Sequence, residues 1–111
     1  MAKNYLQAGE FVTVLAPAAL ASGDPVLVGA IFGVVQFDAD SGDEVELARR
    51  GIFDLPKTTG QAWTAGVKVY WDATNSLVTT TASGNTLIGA ATAARVAGDT
   101  TGTVLLDGTI R

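Results

Sequence analysis

The second half of this chain repeats the first, and a repeat of this length leaves few folds open. Phe32-Gly33-Val34-Val35 recurs as Ile88-Gly89-Ala90-Ala91, and Ser41-Gly42-Asp43 recurs as Ala97-Gly98-Asp99. Both pairs are offset by the same 56 positions (33 to 89, 42 to 98). Gly51-Ile52-Phe53 matches Gly108-Thr109-Ile110 one position further out (51 to 108). Upstream, Ser22-Gly23-Asp24-Pro25-Val26-Leu27-Val28 is similar to Ala65-Gly66-Val67-Lys68-Val69-Tyr70-Trp71 at an offset of 43 (23 to 66). The second copy therefore carries about thirteen extra residues, roughly 72–85. The matched positions are turn glycines and apolar residues, so the duplication preserves scaffold rather than chemistry.

The repeated segments read as strands. Phe11-Val12-Thr13-Val14-Leu15 is β-branched and aromatic and stops at Pro17. Val26-Leu27-Val28 follows a Ser-Gly-Asp-Pro turn, and a second apolar run covers 31–37. Glu44-Val45-Glu46-Leu47-Ala48 alternates polar and apolar, the mark of a half-buried strand. Ile52-Phe53-Asp54-Leu55 ends at Pro56. Residues 68–71 and 77–81 flank a polar turn and form a hairpin by composition. Residues 87–90 and 103–106 complete the set. Glycine marks most of the breaks. The fold expected is all-β, a small barrel or sandwich built from an internal duplication. Residues 10–111 form the β domain, with repeat halves about 22–53 and 65–110, and residues 1–9 form a flexible N-terminal arm. Alanine-rich 90–97 competes as a helix, but its counterpart 34–41 does not read as one, so strand and loop are expected there. A single helical turn around Gln61-Ala62-Trp63 is the other helical candidate.

Composition narrows function by exclusion. There is no histidine and no cysteine, so the commonest general base, the commonest metal ligand and all thiol chemistry are missing. The net charge of −4, with scattered basic residues, argues against nucleic acid. The longest apolar stretch, 26–37, is too short and too glycine-broken for a membrane helix, and no leader pattern opens the chain. The reading is a soluble intracellular protein. Eighteen of the apolar residues are alanine, so the core is modest and oligomerisation is a natural supplement.

Three patterns invite chemistry. The acidic run Asp38-Ala39-Asp40-Ser41-Gly42-Asp43-Glu44 suggests a calcium loop, but Gly, Asp and Arg fall where Asp, Gly and Glu are required. It reads as a solvated turn. Gly60-Gln61-Ala62-Trp63-Thr64-Ala65-Gly66-Val67-Lys68 has five residues between glycines and Val67 before the lysine, so it is no phosphate loop. The fourteen threonines lack an activating histidine and serve as strand formers. No catalytic, cofactor or metal residue is expected. Tyr70 and Trp71 are strand neighbours facing opposite sides, so one fills the core and the other meets solvent, a loop or a subunit.

Taken in order, these residues resemble the tailed-phage capsid cement, or head-decoration, family. The carrying features are Ser22-Gly23-Asp24-Pro25-Val26-Leu27-Val28-Gly29, Phe32-Gly33-Val34, Gly42-Asp43-Glu44-Val45-Glu46 and Gly51-Ile52-Phe53-Asp54-Leu55-Pro56-Lys57. Val69-Tyr70-Trp71-Asp72, Gly84-Asn85-Thr86, Ile88-Gly89 and the opening Met1-Ala2-Lys3-Asn4-Tyr5 continue it. Proteins similar to this one have also been labelled phage recombinases, a label the missing phosphate loop and basic surface oppose. The resemblance implies a capsid-surface protein of the virion, made in the host cytoplasm, that clamps major capsid subunits without catalysis. It also implies a homo-oligomer, with a trimer favoured. Lys3, Asn4, Tyr5, Leu6 and Gln7 are the expected partner-binding residues. Two alternatives are another virion part, such as a head-fibre or tail component, and a small ligand-binding β-module.

Overall fold

The computed structural model describes residues 9–110. It contains nine strands and, among the described residues, no helix. They are β1 (Phe11–Leu15), β2 (Pro25–Val28), β3 (Ile31–Val35), β4 (Glu44–Ala48), β5 (Arg50–Pro56), β6 (Lys68–Asp72), β7 (Leu77–Thr79), β8 (Thr86–Ala91) and β9 (Thr101–Asp107). The chain divides into two compact units, Met1–Arg50 and Gly51–Arg111.

The first unit holds a four-stranded sheet in the order β1-β4-β3-β2. β1 lies antiparallel to β4, with Phe11 opposite Ala48 and Leu15 opposite Glu44. Its core is Ala16, Val35, Val45 and Leu47, and Val12, Val14, Leu20, Val26, Val28, Ile31 and Ala39 pack against it. The alternation of Glu44 to Ala48 does what its period of two dictates: Val45 and Leu47 are fully buried while Glu44 stays in water.

The second unit holds a five-stranded sheet in the order β5-β9-β8-β6-β7. Leu55, Trp63, Val69, Trp71, Val78, Ile88, Val104 and Leu106 are its large buried side chains. Both strand orders are open, so the fold is two antiparallel sheets and not a closed barrel. A lone parallel bridge from Lys57 to Val78 joins the outer strands of the second sheet at one point.

The duplication is visible bond by bond. Gly23 N–H donates to Val35 O and Val35 N–H to Asp24 O. In the second unit Gly66 N–H donates to Ala91 O and Ala91 N–H to Val67 O. The Leu20–Ala39 bridge recurs as Trp63–Arg95. Gln36 N–H to Glu46 O recurs as Thr92 N–H to Thr103 O, and Ala16 N–H to Asp43 O recurs as Lys57 N–H to Thr100 O. Gly23 and Gly66 occupy the same turn position at φ 90° and 88°, which a side chain would strain. By this correspondence β1, β4, β3 and β2 match β5, β9, β8 and β6. β7 has no partner in the first unit, and it lies within the extra segment 72–85 inferred from the offsets.

All nine expected strands form, with edges shifted by a residue or two. β3 ends at Val35 instead of 37, and β7 ends at Thr79 instead of 81. Gln61 Oε1 accepts from Thr79 Oγ1 and from Thr80 N–H, both at 3.0 Å, and Thr81 N–H donates to Thr79 Oγ1. These side-chain bonds replace the ladder. Residues 90–97 run as strand through Ala91 and then as loop, as expected. The helical turn around Trp63 does not form, because Trp63 exchanges both main-chain bonds with Arg95.

Candidate interaction surface

Lys3, Asn4, Tyr5, Leu6 and Gln7, the partner-binding candidates, lie outside the described residues. The chain becomes described at Gly9, where Arg49 holds it: Nη1 donates to Gly9 O, and Arg49 N–H donates to Glu10 O at 2.9 Å.

The acidic run lies in the β3–β4 connection. Asp38, Asp40 and Asp43 join Asp24, Leu20 and three alanines around an open hollow of about 530 Å³. Two of the carboxylates are committed to turns. Asp24 Oδ2 accepts from Ala21 N–H and Asp38 Oδ1 from Ser22 N–H, each at 2.9 Å. Among the described residues no group of three or more acidic side chains is placed to hold a metal.

Gly60 to Lys68 makes no phosphate cradle. Trp63 is buried at 1% exposure, and residues 64–67 form the turn into β6. Lys57, two residues past β5's last apolar core residue, is also 1% exposed. Its Nζ donates to Thr58 O at 3.0 Å and lies 5.6 Å from the Trp63 ring centre. The indole Nε1 has no hydrogen-bond partner among the described residues. Gly102 on β9 leaves the space the ring fills, since a Cβ there would meet the indole. This cluster is packing, and it takes the place of smaller side chains in the first unit. Of the adjacent pair, Trp71 is buried and Tyr70 half-buried.

The Thr103 hydroxyl has a charged partner on each side. Its Oγ1 donates to Asp54 Oδ1 and accepts from Arg95 Nη2, both at 3.0 Å. The link ties β9 to β5 and to the β8–β9 loop that precedes it. Asp72, in the β6–β7 turn, has its carboxyl held below the usual range. The chief cause is the Asn75 side-chain bond at 2.8 Å, and main-chain N–H donors of Asn75 and Thr74 add to it. That is turn chemistry.

What the surface does offer is exposed apolar groups on an acidic body. In the first unit they are Phe11 (42%), Leu15 (63%) and Phe37. In the second they are Ile52, Val96, Leu105 and Ile110. Lys57 N–H to Thr100 O and Thr103 to Asp54 set β5 antiparallel to β9, which places Ile52 beside Leu105. Leu105 stands opposite Ala90, and Ala90 opposite Lys68, along an open groove of about 330 Å³. Charge is unequal. The first unit carries seven of the eleven acidic residues and three of the seven basic ones, hence the whole net −4. Sequence reading found the strands but not their exposed faces, because alternation alone does not say which apolar side is covered.

A family model described as phage cement protein matches residues 6–106. The match spans both repeats and the hairpin inserted between the strands of the second. No curated protein matches the chain.

Proposed function

We infer that this chain, which belongs to the phage cement protein family, binds the outside of an assembled phage head and holds neighbouring major capsid subunits together. The observation that carries this reading is the family match over nearly the whole chain. The surface chemistry is in keeping with it. Two sheets of short, hydrogen-bonded strands present apolar side chains such as Leu15 and Ile52 to the outside.

A cement protein needs no bond-making step. It binds the assembled, expanded shell and not the separated subunits, so mass action favours the shell. One site filled at a hundredfold over its Kd contributes about 2.7 kcal/mol. Many copies on a closed shell multiply that term. A homo-oligomer, with a trimer favoured, suits symmetric sites on the shell and supplements the alanine-rich core. The segment holding Lys3, Asn4, Tyr5, Leu6 and Gln7 serves as a docking arm. Burial of Tyr5 and Leu6 contributes about 2–4 kcal/mol, less the cost of ordering the arm. The role requires neither nucleic acid nor cofactor.

Mixing the purified protein with undecorated capsids and sedimenting them tests the reading. Protein in the pellet, and heads that hold their DNA to higher temperature, are expected. Protein left in the supernatant at tens of micromolar refutes it. Light scattering on the free protein tests the trimer.

A further inference from the structure

We propose that the open edge of β1 receives an extended, basic strand of the major capsid protein. The inference rests on the capsid-binding role above and names the surface and partner chemistry for it.

The four outer strands are not alike. β2 is four residues long and opens on Pro25. β5 carries Arg50, Asp54 and Pro56, and β7 has three residues. Short length, charge and proline are the devices that keep a sheet edge from pairing. β1 has none of them. Phe11-Val12-Thr13-Val14-Leu15 is five residues long, uncharged and free of proline.

Its unused hydrogen-bonding groups can be identified. Arg49 N–H donates to Glu10 O and Ala16 N–H to Asp43 O, so the even-numbered residues 10–16 face β4. The period of two turns the main-chain N–H and C=O of Phe11, Thr13 and Leu15 away from β4. Among the described residues no strand pairs with that side. The same three residues have exposed side chains. An added strand would therefore find three residues' worth of ladder and two large apolar contacts.

Charge selects the occupant. Glu46 stands opposite Thr13 and Glu44 opposite Leu15, on the far side of β1 from the open edge. Strands lie about 4.8 Å apart, so a side chain on the incoming strand is about 10 Å from its counterpart on β4. Lysine or arginine can cross that span over the small Thr13 and meet Glu46. Glu10 and Asp43 flank the two ends of β1, and the whole net charge of the chain lies in this unit. A second copy of β1 would bring like charges together, whereas a basic segment of the shell protein is attracted.

Capsid sedimentation with full-length variants decides this. Thr13→Pro removes an outward N–H and adds a ring at the edge without touching a bond to β4. It should keep its circular dichroism spectrum and lose at least tenfold in affinity. Leu15→Lys, at an exposed position, gives an independent reading and should weaken binding similarly by repelling a basic strand. Glu46→Lys should weaken binding and flatten its salt dependence. Ser83→Lys, at an exposed position in the β7–β8 connection, should bind as wild type. Wild-type affinity in both β1 variants overturns the proposal while leaving the cement role intact. A change in oligomer size in the β1 variants also overturns it, by assigning the edge to self-assembly. Failure of the wild type to bind capsids removes the role itself.

Discussion

Replacing Gly89 by alanine is the most direct test of why the duplication keeps its strand glycines. Gly89 lies on β8 opposite Leu106 of β9. A Cβ there would run into the Leu105 carbonyl oxygen, with the carbonyl carbon at 2.9 Å and Leu106 Cα at 3.3 Å. All three are backbone atoms of a paired strand, so no side chain can swing away to make room. β8 and β9 must separate, at an overpacking cost of about 1–3 kcal/mol. One or two weakened ladder bonds add about 0.5–1.5 kcal/mol each. The expected loss is about 1.5–6 kcal/mol, a large share of the stability of a domain this size. The repeat partner is milder. At Gly33 a Cβ meets Leu47 Cβ at 2.8 Å and Ala48 O at 3.0 Å. Gly33→Ala should cost about 1–3 kcal/mol. Gly98 is the control: it has open space around a Cβ and no positive φ. Gly98→Ala should be neutral or stabilise by about 0.4–1 kcal/mol through the unfolded chain. Urea unfolding at constant m ranks the three, and melting should shift by about 4–8 °C per kcal/mol. If Gly89→Ala stays within 1 kcal/mol of wild type, or Gly98→Ala costs as much, close strand approach is not what the repeated glycines serve.

Lys57→Met should change stability by less than about 1.5 kcal/mol, while Lys57→Ala should cost about 2–5 kcal/mol, because the buried stem and not the charge fills the space beside Trp63; denaturant titration of both checks this. Asp72→Ala should lower the unfolding midpoint at pH 7. The folded-state carboxyl is depressed below its ordinary 3.8, so its contribution is complete above that value and fades as pH falls further. The gap between variant and wild type should therefore shrink below pH 3.8, and a constant gap at pH 3 would rule the mechanism out. Deleting residues 2–8 should leave melting and oligomer size unchanged and weaken capsid binding at least tenfold; unfolding on deletion would assign the segment to the fold. The protein should neither hydrolyse ATP nor shift duplex DNA at physiological salt, and turnover that survives repurification would revive the recombinase label.

Much of this architecture could be read before any coordinate was known. Strand identity is local: β-branched runs of period two bounded by glycine state where the chain extends and where it turns. The change in repeat offset marked 72–85 as extra, and hairpin composition around 72–76 placed a strand at 77–81, where β7 forms. The repeated turn glycines also carried the matching main-chain bonds of the two units, because a positive φ is required wherever the same turn recurs.

Strand order was not legible. Nothing in Phe11 to Leu15 says that it pairs with Glu44 to Ala48 and, among the described residues, with no strand on its other edge, because partner choice depends on which faces close a core far away in sequence. No local pattern around Lys57 marks it for burial, and only the placement of Trp63 over Gly102 makes it a buried lysine. Tyr70 and Trp71 could be assigned to opposite faces from the strand period, but which face was inside depended on the register with β8. The chain alone thus determined its elements and their repeat, which follow from backbone sterics and side-chain pattern. The pairing of those elements decided the exposed edge of β1 and the acidic side chains behind it, because an edge exists only relative to the strands that did not cover it.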